Sequence, residues 1–250
     1  MQPISFRFHA ELNDFLPPHR RDRTFEHQLP ERASVKDVIE SLGVPHPEVA
    51  HIVVNDQAVS FAYIVRPGDQ IVVHPTSTSQ QLTPESRLRP SPTPRFILDV
   101  HLGRLAEYLR MLGFDTLYRN DYDDPELARI SATEQRILLT RDIGLLKRGV
   151  VVHGYYVRET DPQRQVIEIM RRFDFFDHIQ PLQRCSHCNG QLQPVDKVEV
   201  ADQLLPQTRN EHELFHRCLE CGQIYWKGSH YARLQQFIAD VQRQKPSASP

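Results

Sequence analysis

The chain has 250 residues, with 30 basic and 32 acidic side chains and a formal net charge of −2. Hydrophobic residues make up 39 % and charged residues 25 %, the balance of a globular protein of about two domains. Near-neutrality argues against a large, sequence-independent phosphate-binding surface and leaves room only for a local basic groove. No apolar run approaches the ~20 residues of a membrane span. The start, MQPISFRFHAELNDFL, has no long apolar stretch of the secretory type, so a cytoplasmic protein with no membrane partner is expected.

In chain order, Ile4, Phe6 and Phe8 alternate with polar residues as in a half-buried strand. Arg20 to Arg23 reads as a basic turn, either solvated or touching RNA, and Thr24 to Leu29 as the returning strand. Ser34-Val35-Lys36-Asp37 resembles a capping box. Val35, Val38, Ile39 and Leu42 then mark one helix face, stopped by Gly43. His51 to Val54, Ala58 to Phe61 and Ile71 to Val73 read as extended segments, separated by the Asn55-Asp56 and Pro67-Gly68 turns. The order strand-strand-helix-strand-strand is that of a β-grasp. Residues 75–94 hold five prolines among Ser, Thr and Gln with no apolar periodicity, which is the composition of a linker.

Phe96-Ile97-Leu98 reads as a buried strand that ends on Asp99. Leu102, Leu105, Ala106, Leu109 and Leu112 form one helical stripe, with Gly113 at its stop, and Phe114 to Tyr118 suggests a short strand. Asp124-Pro125 looks like an N-cap with proline in the first turn of a helix reaching about Glu134. Ile137-Leu138-Leu139 is a second apolar run, followed by Thr140-Arg141-Asp142. In an open parallel sheet, ligands sit beyond the carboxyl ends of the strands. Asp99 and Asp142 therefore fall on the functional edge, with Asp124 near it. Gathered acids call for a cation, and carboxylate oxygens suit Mg²⁺ or Mn²⁺. A carboxylate-held metal pair can clamp an in-line phosphodiester displacement. The same residues can be plain helix caps, and both readings stand on pattern alone.

Val150 to Val152 and Tyr155 to Val157 suggest further strands. Thr160-Asp161-Pro162 repeats the cap-plus-proline signature before a helix striped by Val166, Ile169, Met170 and Phe173. Asp161 is thus a cap or a fourth acid. Lys147, Arg148, Arg158, Arg104 and Arg110 are cations that either reach phosphate or are solvated.

The four cysteines fall as Cys185-x-x-Cys188 and Cys218-x-x-Cys221, which can supply four thiolates to a tetrahedral structural Zn²⁺. Four cysteines leave no open position for catalysis, and two disulfides are the competing use in an oxidising compartment. The 29 residues between the pairs imply a hairpin insertion. Tyr225 to His230 places aromatic and basic residues together, where they either stack on single-stranded bases or pack on the ribbon. A closing helix is expected over Arg233 to Val241, with a frayed end at 246–250.

The run FILDVHLGRLAEYLRMLGFDTLYRND, the later ILLTRDIGLLKR and the two CxxC pairs resemble the Mut7-C RNase domain, a branch of the PIN-like nucleases, over residues 95–240. VNDQAV and RPGDQIVVHP resemble the Mut7-C ubiquitin-like domain, similar to the ThiS/MoaD sulfur carriers. The resemblance implies a PIN-like α/β/α sandwich, an acidic divalent-metal site and ribonuclease activity. Asp99 would match the first acid, Asp142 the acid of the T-R-D motif, and Asp124/Glu126 the acidic helix start between them. A carrier needs a C-terminal Gly-Gly; here the last strand runs into His74-Pro75-Thr76-Ser77, so a binding or positioning module is expected instead.

The organisation expected is a β-grasp domain at 1–75, a linker at 76–94, a PIN-like α/β core at 95–180, and a zinc ribbon with closing helix at 181–242. The function expected is hydrolysis of RNA by a Mg²⁺- or Mn²⁺-dependent ribonuclease. Asp99 and Asp142 would hold the ion, Asp124 or Glu126 would assist, and Cys185, Cys188, Cys218 and Cys221 would hold Zn²⁺. The β-grasp would offer a surface to a protein partner. The competing expectation is a non-catalytic RNA- or protein-binding adaptor on the same fold.

Overall fold

The structure is a computed structural model that describes residues 2–28, 31–75 and 87–246. Residues 76–86 of the linker expected at 76–94, Leu29 at the end of the expected returning strand, and residues 247–250 of the frayed end expected at 246–250 lie outside the described residues.

The first strands are β1 (Ile4–Phe8) and β2 (Phe25–His27), joined by two short 3₁₀ turns, and the first helix is α1 (Val35–Ser41). Next come β3 (Val49–Val54), β4 (Gln57–Ala58) and β5 (Gln70–Pro75). These five strands form one sheet in the order β2-β1-β5-β3-β4, with β1 and β5 parallel and β3 antiparallel to β5. The alternation read from β1 buries Ile4, Phe6 and Phe8 against Val35, Val38 and Ile39 of α1. Each such side chain contributes about 1.5–3 kcal/mol on burial, so the grasp has a core of its own. Ser34 caps α1: its Oγ accepts from the Asp37 N–H at 3.2 Å and donates to Asp37 Oδ2 at 2.6 Å. The basic turn is partly engaged, because Arg21 Nε donates to the Leu16 carbonyl at 2.7 Å and Arg20 lies over the Phe25 ring.

The chain continues through β6 (Arg95–Leu98), a 3₁₀ turn at Val100–Leu102, α2 (Gly103–Met111) and β7 (Asp115–Tyr118). It then forms α3 (Asp124–Thr133), β8 (Ile137–Thr140), α4 (Ile143–Leu146), β9 (Gly154–Tyr156) and α5 (Pro162–Phe173). Strands β6 and β7 pair in parallel, and so do β8 and β9. Beyond them lie β10 (Leu192–Val195), α6 (Lys197–Val200), α7 (Pro206–Glu211), β11 (Phe215–Cys218), β12 (Ile224–Trp226) and α8 (Ser229–Gln242). The whole is mixed α/β: a β-rich N-terminal domain, parallel strands flanked by helices, and a C-terminal ribbon. No described helix is long and apolar enough to cross a membrane.

Three expectations are corrected. Val150 to Val152 is not a strand: Val150 and Val152 are 56 % and 46 % exposed and only Val151 is buried, so the valine run is a surface turn. Asp124 is the first residue of α3 rather than the residue before it. The stretch between the cysteine pairs is more than a hairpin, because α6 and α7 sit between its strands β10 and β11.

Two compact units result: residues 1–93 with 124–156, and residues 94–123 with 157–250. In the second unit, Phe96, Phe114 and Phe175 meet ring against ring, with centroids 5.6–6.4 Å apart, between β6 and the end of α5. Gly113 ends the α2 segment at φ +97°, where an added Cβ would stand 2.0 Å from the Gln180 carbonyl oxygen. Helix α8 packs on this unit through Phe237 against Tyr108, and Lys245, three residues past its end, pairs with Asp177.

Candidate functional site

The acids occupy strand ends and helix starts. Asp99 follows β6, caps the 3₁₀ turn by accepting the Val100 N–H on Oδ1 at 2.6 Å, and is only 8 % exposed. The turn is fixed by Tyr118, whose hydroxyl donates to the Val100 carbonyl at 2.9 Å. Tyr118 also requires Gly103, since a Cβ there would lie 2.7 Å from the same hydroxyl. The leucine-glycine pair in the helix motif is therefore a packing feature of the Asp99 turn.

Asp142 stands two residues past β8. The Asp142 N–H donates to Thr140 Oγ1 at 2.9 Å, and Asp142 Oδ1 accepts from Gly144 N–H at 2.6 Å and Leu145 N–H at 3.2 Å. Both capping bonds fall on Oδ1 of an exposed residue, and Oδ2 takes no part in the cap. Asp124 and Glu126 share the first turn of α3, with Asp124 Oδ2 3.9 Å from Arg148. These three acids belong to the first unit and Asp99 to the second. Asp161 caps α5 through Gln163 and Arg164 N–H groups, which accounts for it as a helix cap.

Two of the candidate cations have structural duties. Lys147 Nζ donates to the Glu40 carbonyl at 2.6 Å. Arg110 is buried and donates to the carbonyls of Thr116, Ser186 and His187, tying α2 and β7 to the first cysteine knuckle. Burial pulls its basicity down, and the Cys188 and Cys185 sulfurs, then Glu107 and Asp115, oppose that. The sequence carried no sign of this role beyond an arginine on the edge of an apolar stripe.

The cysteines come together. All four Sγ atoms lie within 4.8 Å of one another, the one such group of metal-ligating residues among the described residues. None is in a disulfide. Cys185 and Cys221 sulfurs are 3.6 Å apart, and those of Cys188 and Cys218 3.4 Å. Zn–S bonds of ~2.3 Å at tetrahedral angles place sulfurs about 3.8 Å apart, so the donor set fits Zn²⁺. Burial would raise the Cys185 thiol, but the Tyr225 hydroxyl at 3.0 Å and the Cys188 and His187 N–H groups outweigh it and hold it down to about 7. Burial pushes Cys188 up to about 12, against the Gly190 N–H. One ready thiolate beside a reluctant thiol is a cluster that a divalent cation stabilises by drawing off the remaining protons.

The knuckle is anchored by Asn189. Asn189 sits at φ +71°. Its Oδ1 accepts the buried Thr116 N–H at 2.8 Å and its Nδ2 donates to Asp115 Oδ1 at 2.8 Å. The Trp226 end of the tail packs against Phe215 within the ribbon, the structural alternative for that aromatic.

Comparison with protein families matches residues 94–238 to the Mut7-C RNAse domain and residues 1–81 to the Mut7-C ubiquitin. No curated protein and no solved structure matches the chain.

Proposed function

The chain belongs to the Mut7-C RNAse domain family, and on that premise we propose that it is a metal-dependent endoribonuclease acting on RNA in the cytoplasm. The observation that carries this reading is the repeated strand-end aspartate: Asp99 after β6 and Asp142 after β8, each the cap of the turn that follows a parallel strand. In our reading Asp99 and Asp142 hold Mg²⁺ or Mn²⁺, with Asp124 or Glu126 supplying the third acid. When bound, the ion would polarise the scissile phosphate and the attacking water. Asp142 keeps its orientation through the Gly144 and Leu145 amides and offers Oδ2. The Tyr118–Val100 bond holds the Asp99 turn. Cys185, Cys188, Cys218 and Cys221 hold a structural Zn²⁺ that supplies folding energy to the ribbon. The working division is a β-grasp at 1–75, a linker at 76–94, a nuclease core at 95–180 and the ribbon with its closing helix at 181–242.

A non-catalytic RNA- or protein-binding adaptor is the second reading. It is favoured by one observation: Asp99, Asp142 and Asp161 all have capping duties that would keep them without any chemistry. Mn²⁺-dependent cleavage of a mixed set of labelled RNAs separates the two, comparing wild type with Asp99→Asn plus Asp142→Asn. Asparagine caps helices as well as aspartate does, so the variant should fold. Cleavage lost with zinc content unchanged supports the nuclease. RNA binding without cleavage by either protein supports the adaptor, and equal cleavage by both contradicts the carboxylate site.

A further inference from the structure

The described contacts give the ubiquitin-like module an occupation within its own chain. The imidazole of His46, 5 % exposed, has Nδ1 2.6 Å from Glu40 Oε1 and Nε2 2.8 Å from the Val151 carbonyl, 105 residues away. Glu48 is fully buried, and its Oε1 accepts the Tyr156 N–H at 2.7 Å, so a carboxylate of the module caps the last residue of β9. Lys147, the residue after α4, donates to the Glu40 carbonyl. Around these bonds Phe15 packs edge-on against Tyr156, and a Cβ at Gly154 would stand 3.3 Å from Pro47 Cβ. Arg89 locks the module's side of the contact by donating to the His46, Pro47 and Val49 carbonyls.

Buried polar groups with these partners are costly to separate, because each would be stranded away from water. The bonds grip both ends of one short segment. Lys147 and Val151 flank the turn after α4, and Tyr156 ends β9. Between β8 and that grip lies Asp142.

We propose that the ubiquitin-like module acts in cis as a fixed brace on the β8–α4–β9 segment, with Glu48, His46 and Lys147 as positioning residues that hold the Asp142 turn. The proposal rests on the nuclease reading only for its catalytic consequence. A module so engaged has this face spent on its own chain, which leaves only its other surfaces for a separate protein.

The test uses the full-length, zinc-loaded protein and the variants Glu48→Ala, Lys147→Met and Glu48→Gln. Residue-resolved hydrogen exchange of the Gly144 and Leu145 amides reports the Asp142 cap directly. Steady-state cleavage of a labelled RNA with Mn²⁺ reports its consequence. Glu48→Ala and Lys147→Met should each speed exchange of those two amides about tenfold, the scale of one lost hydrogen bond. Both should lower kcat by about as much with KM unchanged, since RNA binding is left alone. Glu48→Gln keeps an oxygen acceptor for Tyr156 and should return both readouts to within about twofold of wild type. Unchanged exchange at Gly144 and Leu145 in both disruptive variants overturns the brace. So does faster exchange with unaltered kcat, or a Glu48→Gln variant as perturbed as Glu48→Ala. A wild type that does not cleave RNA refutes the nuclease reading instead, and the exchange measurement still decides the brace.

Discussion

Replacing Asn189 by alanine tests how the ribbon is held to α2 and β7. Asn189 Oδ1 is the acceptor for the Thr116 N–H, and Thr116 is fully buried, so the variant strands a donor that water cannot reach. An unmet buried donor costs about 1–3 kcal/mol. Alanine at φ +71° adds about 1 kcal/mol of backbone strain. The lost bond to Asp115 counts for less, because Arg95 and Arg184 also face that carboxylate at 3.2 and 3.8 Å. The sum is about 3 kcal/mol, or roughly a 10 °C fall in the Tm of the transition that includes β7. The assay is thermal unfolding of zinc-loaded protein followed by near-ultraviolet circular dichroism. Asn189→Gly should recover the strain but not the bonds, falling by about two thirds as much. A Tm within about 2 °C of wild type for Asn189→Ala, with zinc retained, refutes the anchoring role.

Further outcomes are expected. Gly113→Ala should destabilise the chain by more than ~2 kcal/mol in denaturant titration, because its Cβ meets the Gln180 carbonyl at 2.0 Å on backbone at φ +97°. Removing zinc with a chelator should unfold the segment from Cys185 to Trp226 while the β-grasp keeps its hydrogen-exchange protection, since a structural zinc contributes on the order of 10 kcal/mol to so small a core. Burial, with the Arg89 guanidinium adding, holds His153 down to about 4 from the ordinary 6.5. A depressed histidine stabilises the fold in its neutral form, so its contribution is complete above pH 6.5 and is lost as pH falls toward 4. Solvent screening of this half-buried ring brings that contribution to about 2 kcal/mol. His153→Phe should flatten the fall in urea midpoint between pH 7 and pH 4.5.

Much of the local architecture was legible because its signals are local. The alternation Ile4-Phe6-Phe8, the Ser34 cap, the leucine stripe of α2 and the Asp161-Pro162 helix start each depend on neighbours a few residues away. The cysteine spacing was legible for the same reason, since each knuckle closes within four residues. The valine run at 150–152 misled because β-branched residues favour strands, whereas here two of the three side chains face solvent. The helices α6 and α7 gave little sign because they carry few buried residues. The long-range contacts of Arg110, Asn189 and His46 were missed for a different reason. Their partners lie 76–77, 73–74 and 105 positions away along the chain, and no local pattern records such pairs. The acids were found as strand-end residues, but capping explains their positions as well as metal binding does, so pattern alone could not assign their chemistry.

That ambiguity sets the decisive measurement: Mn²⁺ binding by calorimetry to zinc-loaded wild type and to Asp99→Asn plus Asp142→Asn at pH 7.5. The account predicts at least one equivalent of Mn²⁺ bound by wild type beyond the cysteine-held zinc, abolished in the double variant while zinc content and melting are unchanged. Equal Mn²⁺ uptake by both proteins, or none by wild type in the presence of RNA, would contradict a carboxylate-held catalytic ion.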